Sequence, residues 1–161
     1  QRIKMITLYN KIIDTINEEE SIFTEENLQK PVFIDLYDSQ PEAPDQFEFV
    51  CPALFIKYGT KWQQQANYRI GNVSIEVHVL LDSQDETSNL NEARRNEGLK
   101  KLTYYQCVID VLERLKAEGY SVLVLEEENP VSTAFFDYQV LVFSGQRNAE
   151  IRRKNEAVLT A

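Results

Sequence analysis

Apolar residues recur along the chain with two rhythms, one of three to four residues and one of two, and these set the elements to expect. Met5, Ile6, Tyr9, Ile12, Ile13 and Ile16 follow the i, i+3, i+4, i+7 spacing of an amphipathic helix over residues 3–16. Glu18, Glu19 and Glu20 follow it, and carboxylates at a helix C-terminus oppose the macrodipole, so the helix is expected to fray there. A polar connector leads to a short strand over residues 31–37. Residues 38–47 read as a loop, because Pro41 and Pro44 among polar residues cannot extend a ladder. Residues 52–58 predict a second strand, ended by Gly59-Thr60. Trp62 and Tyr68 bound a polar stretch, either a long hairpin arm or the flank of the next strand, and Gly71-Asn72 reads as a turn.

The clearest segment comes next. Val73, Ile75, Val77, Val79 and Leu81 alternate with Ser74, Glu76, His78, Leu80 and Asp82, which predicts a strand with one buried and one mostly wet face. A long helix follows a polar linker, with Leu99, Leu102, Ile109, Leu112 and Leu115 on one stripe and Tyr105 and Val108 flanking it. Gly98 marks a softer start or a bend, and Gly119 suits the helix stop. Strands over 121–126 and 134–143 close the order, joined by a turn at 126–130, with Ser144-Gly145 ending the last one. Helix, three strands, helix and two strands predict an α+β fold: a mainly antiparallel sheet with two principal helices packed on one face. Residues 1–146 are expected to form a single domain, and 147–161 a charged C-terminal tail, either a short exposed helix or flexible.

Composition adds limits. In 161 residues, 43% are hydrophobic and 27% charged, an ordinary globular balance that supports a core without disulfides or metals. No apolar run approaches the roughly 20 residues that cross a bilayer, and no positively charged leader precedes an apolar segment, so neither a membrane partner nor a signal peptide is expected. A net charge of −9 argues against a broad surface that grips nucleic-acid phosphates, while an acidic wall does suit a conduit. Cys51 and Cys107 match no zinc or redox spacing and are expected to be reduced and mostly buried.

Candidate chemistry is sparse. His78 is the only histidine, so a Ser/His/Asp or Cys/His mechanism must run through it, yet its strand position has no nucleophile elbow nearby. The runs at Glu18–Glu20 and Glu126–Glu128 lack the alternating ligand spacing of a calcium loop, and the 5 dispersed glycines form no phosphate cradle. No catalytic, metal or cofactor residue is therefore nominated, and the protein is expected not to be an enzyme. The aromatic inventory points to surfaces instead. Tyr104 and Tyr105 are adjacent on a helix, as are Phe135 and Phe136 on a strand, so one of each pair must be exposed or meet another layer. Tyr and Trp are enriched at interface centres.

The order and texture of these segments resemble the tail-terminator and tail-completion (minor tail) proteins of long-tailed bacteriophages. The resemblance rests on the leading helix, the proline-led strand PALFIKYG, the polar arm WQQQANYRIG, the alternating strand VSIEVHVLLD, the helix LKKLTYYQCVIDVLERL and the closing strand pair. It implies a tail-terminator-like fold and a structural protein of a phage or prophage. Such a protein assembles into a ring, commonly of six subunits, at the head-proximal end of the tail tube and joins tail to head. Implied partners are further copies of the chain, the tail tube and head-completion proteins, with DNA passing through a lumen unbound. The implied location is the virion tail, or the bacterial cytoplasm during assembly. The resemblance makes Trp62, Tyr68, Glu76, His78, Phe136 and Tyr138 candidate subunit-interface residues. The alternative is a small bacterial protein-binding adaptor that uses an exposed sheet face.

Overall fold

A computed structural model describes residues 4–83 and 86–150. Helix α1 (Met5–Glu18) and a single helical turn, α2 (Ser21–Thr24), precede strand β1 (Phe33–Leu36). Strands β2 (Ala53–Gln64) and β3 (Tyr68–Asp82) form a long hairpin. Helices α3 (Glu92–Gly98) and α4 (Lys100–Glu113) follow, then strands β4 (Val124–Val131) and β5 (Phe136–Glu150). The five strands make one sheet in the order β1-β2-β3-β5-β4, antiparallel throughout except for β1 beside β2. The fold is α+β, with the helices on one face.

The period-two pattern decides which side chains meet them. Val73, Ile75, Val77 and Val79 of β3 pair laterally with Leu54 and Ile56 of β2 and with Leu141 and Phe143 of β5 on one face. Against it pack Leu8, Ile12 and Ile16 of α1, Phe23 of α2, and Tyr105, Val108, Val111 and Leu112 of α4. Each fully buried side chain of this kind stabilises the fold by roughly 1.5–3 kcal/mol, so this layer carries most of the favourable free energy.

Several elements differ from expectation. The acidic end of α1 does not simply fray: the chain turns directly into α2, and Glu19 and Glu20 find cations in Arg114 at 3.1 Å and Lys30 at 3.4 Å. Leu102 is 54% exposed rather than on the core stripe of α4. Tyr104 and Tyr105 are both buried, Tyr104 because it meets a second layer, with its ring 5.2 Å from that of Phe23. Gly98 does mark a break, between α3 and α4: a side chain there would strike the Glu86 carbonyl oxygen at 1.8 Å. Helix α4 stops at Glu113, ahead of Gly119.

In the sheet, Gly71-Asn72 is continuous strand, and the hairpin turns at residues 65–67 instead. Residues 126–130 are not a turn but part of β4. Pro130 is tolerated because β4 is an outer strand, and a bulge between Leu125 and Glu127 absorbs the irregularity. Ser144-Gly145 likewise lies within β5, which continues through 147–150 as strand; the rest of the expected tail, 151–161, lies outside the described residues.

Candidate functional site

The second face of the sheet was expected to be wet, and over part of its area it is not. Residues 37–52 fold back across it, and a smaller core forms beneath them from Ala53, Phe55, Leu80 and Tyr138, with Phe33, Tyr37, Phe49 and Phe136 packed around. Gln40 holds this cover in place. Its amide nitrogen donates to the Leu36 carbonyl at 2.8 Å, and its amide oxygen accepts from the Asp38 N–H at 2.5 Å.

Under the cover lies a polar cluster centred on His78. Strand β3 sets His78 between Glu76 and Leu80, and β5 brings Tyr138 alongside, opposite Leu80. The Tyr37 ring stacks on the imidazole at 4.2 Å and 16°, and the Tyr37 hydroxyl donates to Glu42 at 2.9 Å. Imidazole Nδ1 meets the Tyr138 hydroxyl, and Nε2 lies 3.3 Å from a Glu76 carboxylate oxygen. With a neutral ring, Nε2–H donates to Glu76 and Nδ1 accepts from Tyr138; the other tautomer would set a lone pair against a carboxylate. Burial lowers the His78 pKa against an opposing pull from Glu76. Burial, helped by Glu42, raises that of Tyr138, which therefore stays a donor. At 6% exposure, with both nitrogens and one ring face engaged, His78 is a cross-tie between cover and sheet and not the exposed strand residue its alternation suggested.

A second constellation lies on the hairpin arm. Trp62 faces Gly71 across the β2–β3 pair, and its ring lies over that glycine: a side chain at 71 would meet Trp62 at 2.9 Å and Thr60 at 2.7 Å. Guanidinium groups cover the same indole, Arg69 at 4.1 Å and Arg147 at 4.6 Å. Arg147 also donates to the Tyr120 hydroxyl at 3.1 Å. The Nε of each arginine is buried without a hydrogen-bond partner, and stacking on the indole, joined at Arg147 by the bond to Tyr120, holds the guanidinium groups.

A scan against protein-family profiles finds no match to this chain, and neither does a search of curated proteins.

The structure thus divides the six candidate interface residues into two groups and an outlier. Glu76, His78, Phe136 and Tyr138 belong to the outer cluster, with His78 and Tyr138 buried and Glu76 and Phe136 partly so. Trp62 is the centre of the arm cluster, largely buried beside its two arginines, while Tyr68 at the tip is 46% exposed. Residue patterns missed Tyr37, Glu42 and Phe49, which sit in a proline-containing stretch with no period to read. They also missed Arg69 and Arg147, whose common target Trp62 is set by strand register alone. The cysteines are unbridged; burial pushes the Cys51 thiol up to about 12 and the Cys107 thiol to about 11, which keeps both protonated and unreactive. No helix among the described residues is long and apolar enough to cross a membrane.

Proposed function

We propose that this chain is a non-enzymatic structural subunit of a phage or prophage tail, similar to tail terminators, that forms a ring at the head-proximal end of the tail tube and joins tail to head. The observation that carries this proposal is the long sheet with its rigid arm. Strands of 12 and 15 residues run past the short β1, and the Trp62–Arg69–Arg147 stack braces the projecting part. An arm stiffened across three strands suits a body that must meet other subunits at a set angle. The outer cluster supports the same proposal, because it uses the molecule's one histidine to fasten a structural cover. Its partners would be further copies, the tail tube and head-completion proteins, in the virion or in the bacterial cytoplasm during assembly. The acidic balance would let DNA pass without being held.

The test is the solution mass by light scattering across a wide concentration range, followed by negative-stain imaging of any large species. Rings with an open centre support the proposal. A chain that remains monomeric at every concentration overturns it in favour of a small protein-binding adaptor.

A further inference from the structure

At the end of the sheet where β2 begins and β3 closes, a cavity of about 200 Å³ lies beside the first turn of α4. Leu28, Pro52 and Leu81 give it apolar walls, and Leu28 and Leu81 also pack against the main core, so the cavity sits at the margin of that core. Tyr104 of α4, 2% exposed, is the most deeply buried residue of the lining. Its hydroxyl is buried without a hydrogen-bond partner among the described residues. Native cores leave few polar groups in that state, and each calls for a reason. Burial raises the Tyr104 pKa, so the hydroxyl keeps its proton and stands as a donor. Lys101 lines the same cavity three residues earlier, on the same face of the helix. Asp137 holds its ammonium at 3.3 Å, and an ammonium has three N–H groups, so it can donate to a second acceptor as well. The other charges of the lining are exposed. Glu97 is paired with Lys100 at 3.1 Å, and Asp82 has no ion pair among the described residues.

We infer that this cavity binds a small organic monocarboxylate, with its apolar body against Leu28, Pro52 and Leu81 and its carboxylate accepting from the Tyr104 hydroxyl and the Lys101 ammonium. An apolar recess with a few convergent polar groups is the usual form of a small-molecule site. The two donors are the more buried polar groups of the lining and the carboxylates the exposed ones, which favours an acid over an amine. The unpaired charge of Asp82 at the mouth opposes a ligand with two negative charges. The volume lies below the roughly 300–1,000 Å³ of drug-sized pockets, which favours a short acid over a long-chain lipid. Binding here is independent of the assembly proposed above.

The experiment titrates octanoate into the isotopically labelled full chain and follows the backbone amides by NMR. Saturable shifts should centre on Leu28, Leu81 and the first turn of α4. Tyr104→Phe removes only the hydroxyl and should bind octanoate about tenfold more weakly. The same variant should unfold in urea at no lower concentration than the native chain, because the group it removes has no partner to lose. Lys101→Met keeps the packing of the stem and should erase the preference for octanoate over octanol. Any of three results overturns the inference: shifts with octanoate that do not saturate at these residues, tighter binding of octylamine than of octanoate, or a Tyr104→Phe variant that binds octanoate as well as the native chain does.

Discussion

At the scale of the residue, His78 links three parts of the chain that are remote in sequence: its own strand, Tyr138 on β5 and Tyr37 at the start of the cover. Its folded-state pKa lies below the ordinary 6.5, chiefly through burial. The unfolded chain therefore takes up a proton first as the solution is acidified. The stability that neutral His78 contributes is complete above its ordinary value and is lost as pH falls from there through the lowered folded value. Thermal or urea unfolding across this range should show stability falling toward acid in the native chain, and His78→Gln should flatten that part of the profile. Gly71 gives a second prediction. Gly71→Ala drives a methyl group into Trp62 and Thr60 and should cost about 1–3 kcal/mol in urea unfolding. Gly59, on the same hairpin, has nothing within 4 Å of such a methyl, so Gly59→Ala should be neutral or gain about 0.4–1 kcal/mol. Equal losses at the two positions would mean that strand glycines matter here for a reason other than the indole.

At the scale of the element, the segment over residues 37–52 has little regular structure, only a short 3-10 turn at Gln40–Glu42, and owes its order to what lies under it. Phe49 is its main anchor, with ring centroids 5.1 Å from Phe55, 5.5 Å from Phe136 and 6.3 Å from Phe33. Phe49→Ala should destabilise by about 2–3 kcal/mol, below the full value for a buried phenylalanine because the side chain is partly exposed. Limited proteolysis should then cut first within this segment while the sheet and helices persist. Cleavage elsewhere first would show that the cover does not depend on Phe49. The elements were legible in the sequence to the degree that burial gave them a period. Strand β3 has one face on the main core and announced itself, as did the Ile12–Ile16 stripe of α1. The extension of β2 to Gln64 and of β5 to Glu150 was hidden, because residues 59–64 and 144–148 are paired in a ladder yet partly or fully exposed, and ladder pairing leaves no hydrophobic signal.

At the scale of the whole molecule, 26 acidic against 17 basic residues make copies repel one another. The screening length falls from about 30 Å at 0.01 M to about 10 Å at 0.1 M and about 3 Å at 1 M, so this repulsion weakens over that range. Association of the proposed kind, followed by sedimentation, should therefore strengthen as salt rises from roughly 0.01 M to 0.1 M. Association that weakens over the same range would mean that opposite charges hold the contact.

Periodicity in the sequence by itself determined the fold class, the element order and the helix-facing side of the sheet. These follow from short-range rules: 3.6 residues per helical turn and two per strand repeat translate directly into one apolar face. Tertiary structure alone decided the second face. Whether Ser74, Glu76, His78 and Leu80 meet water or protein depends on a loop thirty to forty residues earlier, and no local pattern in β3 encodes that. It also decided the arm, where strand register lays Trp62 on Gly71 beneath two arginines, and it put the glutamates of 126–128 on the outer strand β4, where the sequence alone shows only a run of charge.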